Sequence, residues 1–148
     1  MSIADRSITT TWEGPLASGS GTFGQSSSGA LDGQTVTWAS RTEAPAGKTS
    51  PEELAAAAHS SCYSMALSLK LGENNTPPQR LDVSAKVSLE EVDGVPTITT
   101  SALTVRAQVD GLDESTFAKI VDEASALCPV SRLFAGATIT VDAALEAA

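Results

Sequence analysis

The chain has 148 residues, 41% hydrophobic and 18% charged, which suits a single domain spanning 1–148 with a sizeable core. Eighteen acidic residues against nine basic ones leave a net charge of −9, which argues against nucleic acid or an anionic membrane surface as partner. One histidine and two cysteines with no C-x-x-C or H-x-x-x-H spacing do not assemble a zinc site, so no metal is expected.

The N-terminus, MSIADRSITT, has no apolar h-region, so no secretory signal is read. Ser7 to Glu13 alternates, with Ile8, Thr10 and Trp12 on one side, and predicts a strand ended by Gly14-Pro15. Ala17 to Gly33 is rich in Gly and Ser and reads either as a weak strand around Thr22-Phe23 or as a loop. Thr35 to Ser40 is β-branched and aromatic and predicts a short strand, Val36 and Trp38 sharing a face, with Arg41 at its end and a Pro/Gly loop to Thr49 beyond.

Ser50 to Gly72 predicts one long helix. Ser50 is its N-cap, Pro51 suits the first helical position, Glu53 completes an S-x-x-E capping box, and Lys70 and Gly72 mark its end. From Leu54 to Leu69 no residue is charged apart from His59, so the helix is expected to be covered on most of its circumference. The run is too short and too rich in Ser and Ala to span a bilayer, and a cytoplasmic location is expected. At about 100° per residue, Leu54, Ala55, Ala58, Cys62, Met65, Ala66 and Leu69 fall within one stripe, with Cys62 at its middle. The run Ala55 to Ala58 leaves room for another backbone to approach closely.

Beyond the helix, Leu81 to Leu89 alternates through Val83, Ala85 and Val87 as a half-buried antiparallel strand, and Asp93-Gly94 signals a hairpin turn. The return strand, Val95 to Val109, changes apolar phase between Ile98 and Leu103, which predicts a bulge or twist near Thr100. Asp113 caps a second helix whose apolar stripe is Phe117, Ile120, Val121, Ala124 and Leu127, and Pro129 interrupts it. Thr138 to Leu145 alternates through Ile139, Val141 and Ala143 as a last strand. The order βββ–α–ββ–α–β gives the class α+β, antiparallel sheet packed on two main helices.

Chemistry in such a chain rests on few residues. A lone Cys62 is most simply a small buried hydrophobe, although two cysteines in a cytoplasmic protein are more often redox, metal or catalytic groups than a staple. If Pro129 starts a new helical turn, Cys128 becomes its N-cap, and free N–H groups at the sulfur lower its pKa from about 8.5. Arg41 and Glu52 are the candidate partners of a reactive thiol: an arginine favours the thiolate, and a carboxylate holds the guanidinium in place. Glu52 and Cys62 are ten residues apart, roughly 15 Å along a continuous helix, so they cannot touch within one chain. Antiparallel packing of the helix against its copy near Ala56 to Ala58 would bring Glu52 of one chain to Cys62 of the other, twice per dimer. His59 is read as a packed, hydrogen-bonded histidine outside the site.

TWEG near the start, SPEELAAAAHSSCYSMALSL in the long helix and CPVS after the second helix together resemble the OsmC/Ohr family of thiol-dependent hydroperoxide reductases, more closely its OsmC branch. The resemblance implies an intertwined homodimer with sites at the subunit interface and a cysteine peroxidase that needs no cofactor. It places the peroxidatic cysteine on Cys62, the resolving cysteine on Cys128 through an intramolecular disulfide, the activating glutamate on Glu52 and the arginine on Arg41. Arg6 lies toward the position used in the Ohr branch, but its surroundings do not match. The implied substrate is an organic hydroperoxide, favoured by apolar residues such as Met65, Leu69 and Phe134. The implied reductant is an external dithiol, lipoyl-type or another small thiol. The competing reading is a dimeric binding protein that holds a small apolar ligand at the same interface without turnover.

Overall fold

Apolar alternation, two capped helices and a run of turn residues are arranged in the computed structural model, which describes residues 1–147, as ten elements. They are β1 (Thr9–Glu13), β2 (Ser20–Gly24), β3 (Thr35–Val36), α1 (Trp38–Thr42), α2 (Pro51–Glu73), β4 (Arg80–Val92), β5 (Val95–Gln108), α3 (Glu114–Leu127), α4 (Pro129–Leu133) and β6 (Thr138–Leu145). The chain divides into two units, Met1–Leu54 and Ala55–Ala148. The α+β class holds. Among the described residues no helix is long and apolar enough to cross a membrane.

In the first unit β1, β2 and β3 form an antiparallel sheet in that order, with Trp12 opposite Gly21 and Thr22 opposite Thr35. The Gly/Ser-rich stretch therefore does contain a strand, and its Phe23 is buried. Gly21 is required there: a Cβ would lie 2.9 Å from Val36 Cγ2 and 3.1 Å from both Thr10 and Trp12 side-chain carbons. The expected strand from Thr35 to Ser40 stops at Val36, because Thr37 and Ser40 form a reciprocal capping box and start α1 instead. The Thr37 hydroxyl accepts from the Ser40 N–H at 3.0 Å, and the Ser40 hydroxyl accepts from the Thr37 N–H at 2.9 Å. Local side-chain hydrogen bonds thus outcompete the β propensity of Val36 and Trp38, and Arg41 sits on a helical turn rather than at a strand end.

Helix α2 opens on the expected cap, the Ser50 hydroxyl accepting from the Glu53 N–H at 3.1 Å, but the Glu53 carboxylate makes no return bond to the Ser50 N–H, so the box is half closed. Its end differs. The helix runs through Gly72, which was expected to lie just past its end, and Asn75 takes the left-handed conformation, φ 60°, beyond it. The Thr76 N–H reaches the Leu71 carbonyl at 3.0 Å and the Asn75 N–H the Gly72 carbonyl at 2.9 Å, a Schellman closure with asparagine in the glycine role.

In the second unit β4, β5 and β6 form one sheet with β5 in the centre. The Asp93-Gly94 turn joins β4 to β5 with both residues at positive φ, and the register slips where Ser88 faces Thr100 and Leu89 faces Ile98. That slip accounts for the phase change in the sequence. β6 joins β5 in parallel, so the sheet is mixed rather than wholly antiparallel. Ser101, Leu103, Val105 and Ala107 of β5 point into the core with Tyr63, Ala66, Leu67 and Leu71 of α2 and Phe117, Ile120, Val121 and Ala124 of α3. Asp113 caps α3 by accepting from the Thr116 N–H at 2.8 Å.

The buried face of α2 is therefore not the stripe expected from the sequence. It is His59, Tyr63, Ala66, Leu67 and Leu71. Cys62 lies at its margin, while Ala57, Ala58, Ser61, Met65, Ser68 and Leu69 are exposed, Met65 at 73%. The helix is covered on one side only.

Candidate functional site

Two groups of side chains carry the chemistry, one in each unit. In the first, α1 and the start of α2 bring Arg41 to Glu52. Arg41 Nε donates to both carboxylate oxygens at 3.0 and 3.1 Å, and Nη2 donates to Oε1 at 2.6 Å. Both side chains are largely buried, 29% and 12% exposed, where a forked, charge-assisted pair holds its geometry better than on an open surface. The guanidinium carbon lies 6.0 Å from the centre of the Trp38 ring. Trp12, Leu16, Val36, Trp38 and Pro51 line a small cavity of about 90 Å³ beside Arg41. Arg6, by contrast, is exposed and donates to the Asp5 carbonyl at 2.7 Å.

In the second unit, α2 presents Cys62 and the α3–α4 junction presents Cys128. Both are free thiols, Cys62 half-buried and Cys128 buried. Pro129 does begin a new helical turn with Cys128 at its N-cap. The sulfur closes no cap hydrogen bond of ordinary geometry, yet the hydroxyl and N–H of Ser131 and the N–H of Val130 lie close enough to act on it. Burial disfavours the Cys128 thiolate, but these donors together with the Cys62 thiol outweigh it, and the Cys128 pKa falls below its ordinary value. For Cys62 the balance is reversed. Burial is the main cause, partly offset by the Val130 N–H, and the neighbouring Cys128 adds to the rise as hydrogen-bond partner and as charge. The two thiols are linked in their ionisation, Cys128 being the one shifted toward the thiolate.

The structure brings together Cys62 with Cys128, and Arg41 with Glu52, each pair within one unit. Met65 and Leu69 lie on the open side of α2. Phe134 packs against His59 at a tilt of 57°, ring centres 5.2 Å apart. Sequence reasoning gave no role to Ser131 or Ser101. His59 is wholly buried, with Nδ1 2.6 Å from the Ser101 hydroxyl and Nε2 2.8 Å from the Ser131 hydroxyl. The signal for Ser131 was its place three residues after Cys128, where a residue at N3 faces the N-cap.

An α+β chain with two free thiols in one unit, one of them at a helix N-cap, has the groups that thiol redox chemistry uses. Residues 44–143 match the family model described as OsmC-like protein, and the chain belongs to that family. It is 45% identical over 135 residues to Peroxiredoxin OsmC of Escherichia coli (strain K12), covering 91% of this chain and 92% of that one, and equally similar to Peroxiredoxin OsmC of Shigella flexneri. The fold matches the crystal structure of the organic hydroperoxide resistance protein OhrB of Bacillus subtilis, with TM-score 0.73, 24% identity, and 97% of this chain and 100% of that one covered. It also matches an organic hydroperoxide resistance protein OsmC from Legionella pneumophila, with TM-score 0.72, 18% identity, and 97% and 99% covered.

Proposed function

We propose that this chain is a cysteine peroxidase that reduces organic hydroperoxides to alcohols, with Cys62 the attacking and Cys128 the resolving thiol. The peroxidase class follows the relatives named Peroxiredoxin OsmC. The observation that supports the two-cysteine reading is that Cys62 packs against the core cluster that contains Cys128 and that the two thiols shift each other's ionisation.

The Cys62 thiolate attacks the terminal oxygen of the hydroperoxide, the O–O bond breaks, and the alkoxide leaves and takes up a proton as the alcohol. Cys62 is then a sulfenic acid, two electrons more oxidised. The Cys128 thiolate attacks that sulfur, the S–S bond forms, the S–O bond breaks, and the released hydroxide is protonated to water. An external dithiol, lipoyl-type or another small one, returns both cysteines to thiols in two exchange steps and leaves as a disulfide. No cofactor or metal enters the cycle.

Cys62 needs a cation to become the attacking thiolate, since burial and Cys128 both hold it neutral within its unit. The proposal supplies one across a homodimer: the Arg41–Glu52 pair of one protomer serves Cys62 of its partner, each chain folding as one OsmC-like domain. The exposed side of α2 around Ala57, Ala58, Met65 and Leu69 supports a partner helix there. Apolar side chains beside Arg41, Trp12, Leu16 and Val36 among them, favour a greasy peroxide over hydrogen peroxide. A reducing cytoplasmic setting suits two thiols kept free.

Stopped-flow consumption of cumene hydroperoxide by the intact protein and by Cys62→Ser tests the reading. Turnover is expected to vanish in the variant. Unchanged turnover would favour the competing role, an interface that binds a small apolar ligand.

A further inference from the structure

The two thiols of the second unit differ in how far they can be reached. Cys62 is half-buried on α2, and Ala58 and Met65, a turn to either side of it, are exposed. Cys128 is 0% exposed, a member of the core cluster with Tyr63, Ala66, Phe117 and Ala124, and Val130 packs against the same cluster. Assembly only removes surface, so no partner chain can uncover a sulfur that its own chain already encloses. The turn that carries Cys128 is also pinned. The Cys128 N–H donates to the Ala124 carbonyl at 2.9 Å, and the Arg132 N–H donates to the Cys128 carbonyl at 3.2 Å. On the core side, His59 Nε2 lies 2.8 Å from the Ser131 hydroxyl and Nδ1 2.6 Å from the Ser101 hydroxyl, His59 and Ser101 both being wholly buried. Lifting α4 away would leave a buried imidazole nitrogen without its partner, a loss that holds the turn in place.

We infer that the external thiol attacks the Cys62–Cys128 disulfide at Cys62, and that α4, tied through Ser131 to His59, keeps Cys128 out of its reach and makes Cys128 the leaving sulfur. The inference rests on the disulfide proposed above and assigns the one step left open there, which sulfur the reductant meets. Access decides which sulfur of a disulfide is attacked, and here only one of the two has any. The reductant's first thiolate forms a bond to Cys62 Sγ, the Cys62–Cys128 bond breaks, and its electron pair leaves on Cys128. The reductant's second thiolate then attacks the reductant sulfur held on Cys62, that mixed disulfide breaks, and Cys62 leaves as the thiolate. Two electrons pass to the protein, and the reductant departs as its own disulfide. Peroxide and reductant therefore meet the same sulfur in turn. His59 and Ser131 touch neither reactant in this scheme; they are positioning residues that hold the Cys128 turn shut.

The test uses the full chain and no peroxide. The disulfide is formed with diamide, exposed briefly to β-mercaptoethanol, quenched in acid and capped with N-ethylmaleimide, and the mixed disulfide is located by peptide mass. The mercaptoethanol adduct is expected on Cys62, with Cys128 carrying the maleimide. In reduced Cys62→Ser, Cys128 is the remaining thiol, and iodoacetamide should label it at least about a hundredfold more slowly in the folded protein than in urea. Ser131→Ala in that background should speed the labelling by about tenfold, the effect of one lost buried hydrogen bond. Ser131→Thr, which keeps the hydroxyl, should restore most of the protection. An adduct on Cys128, labelling as fast folded as unfolded, or a rate unmoved by Ser131→Ala would overturn the inference. Should diamide link no Cys62–Cys128 bond, the inference falls together with the two-cysteine reading; a link whose adduct maps to Cys128 removes the inference alone.

Discussion

Arg41 grips Glu52 through a fork of three close contacts, 2.6 to 3.1 Å, across an eleven-residue separation that spans α1, a Pro/Gly loop and the cap of α2. Two local signals build that clasp: the Thr37–Ser40 box that places Arg41 on a helical turn, and the Ser50 cap that places Glu52 in the first turn of α2. Because the fork needs a planar guanidinium, Arg41→Lys keeps the charge but loses the geometry. Its kcat/KM for cumene hydroperoxide is expected to fall at least about tenfold, with the fold unchanged by circular dichroism. Wild-type kinetics in Arg41→Lys would remove the clasp from the mechanism.

The open side of α2 bears on assembly. Met65 is 73% and Leu69 53% exposed on a helix whose other side is packed in the core. Placing charge there, as Met65→Glu with Leu69→Lys, should convert a dimer to a monomer in analytical ultracentrifugation and abolish turnover together. A monomeric wild-type protein with full activity contradicts the composite site.

Cys128→Ser isolates the resolving step. One equivalent of hydroperoxide should be reduced rapidly, after which the enzyme stalls with Cys62 as sulfenic acid, trapped by a dimedone-type reagent. Multiple turnovers on a dithiol alone would show that Cys128 is dispensable.

His59 links stability to acid. Its folded pKa lies below the unfolded value of 6.5 because burial disfavours the imidazolium, so below 6.5 the unfolded chain binds the extra proton. The stabilisation is complete above pH 6.5 and is lost as pH falls through the folded pKa. Urea midpoints should therefore drop between about pH 7 and 5.5, and His59→Gln should flatten that slope. An equal slope in both proteins would assign the acid sensitivity to other groups.

The two-residue register and the capping chemistry were readable from the chain: Leu81 to Leu89, the bulge opposite Ser88, the Asp113 cap and the strand from Thr138 to Leu145 all lie where local pattern puts them. Three features were not. Val36 and Trp38 have strand propensity, but a Thr–Ser hydrogen-bond box ends the strand between them, a competition that propensity does not weigh. Asn75 rather than Gly72 closes α2, the Thr76 and Asn75 N–H groups taking the Leu71 and Gly72 carbonyls, a closure that a glycine signal alone does not locate. The buried side of α2 is rotated from the apolar stripe because His59 and Tyr63, both polar at their tips, find partners in Ser101, Ser131 and the Val121 carbonyl. Within the candidate site, residue types singled out Cys62, Cys128, Arg41 and Glu52 as candidates, and the resemblance to the OsmC/Ohr family supplied the roles proposed for them. Ser101 is invisible in sequence, since its contact with His59 joins a helix to a strand 42 residues on.

The central claim is that a peroxide's oxidising equivalents end as a bond between Cys62 and Cys128. Intact mass, followed by peptide mapping without reductant, after one equivalent of cumene hydroperoxide reads this directly. The account predicts the loss of two hydrogen atoms per chain and a cross-linked pair of peptides containing Cys62 and Cys128. An unchanged mass, or added oxygen with both cysteines unlinked, contradicts it.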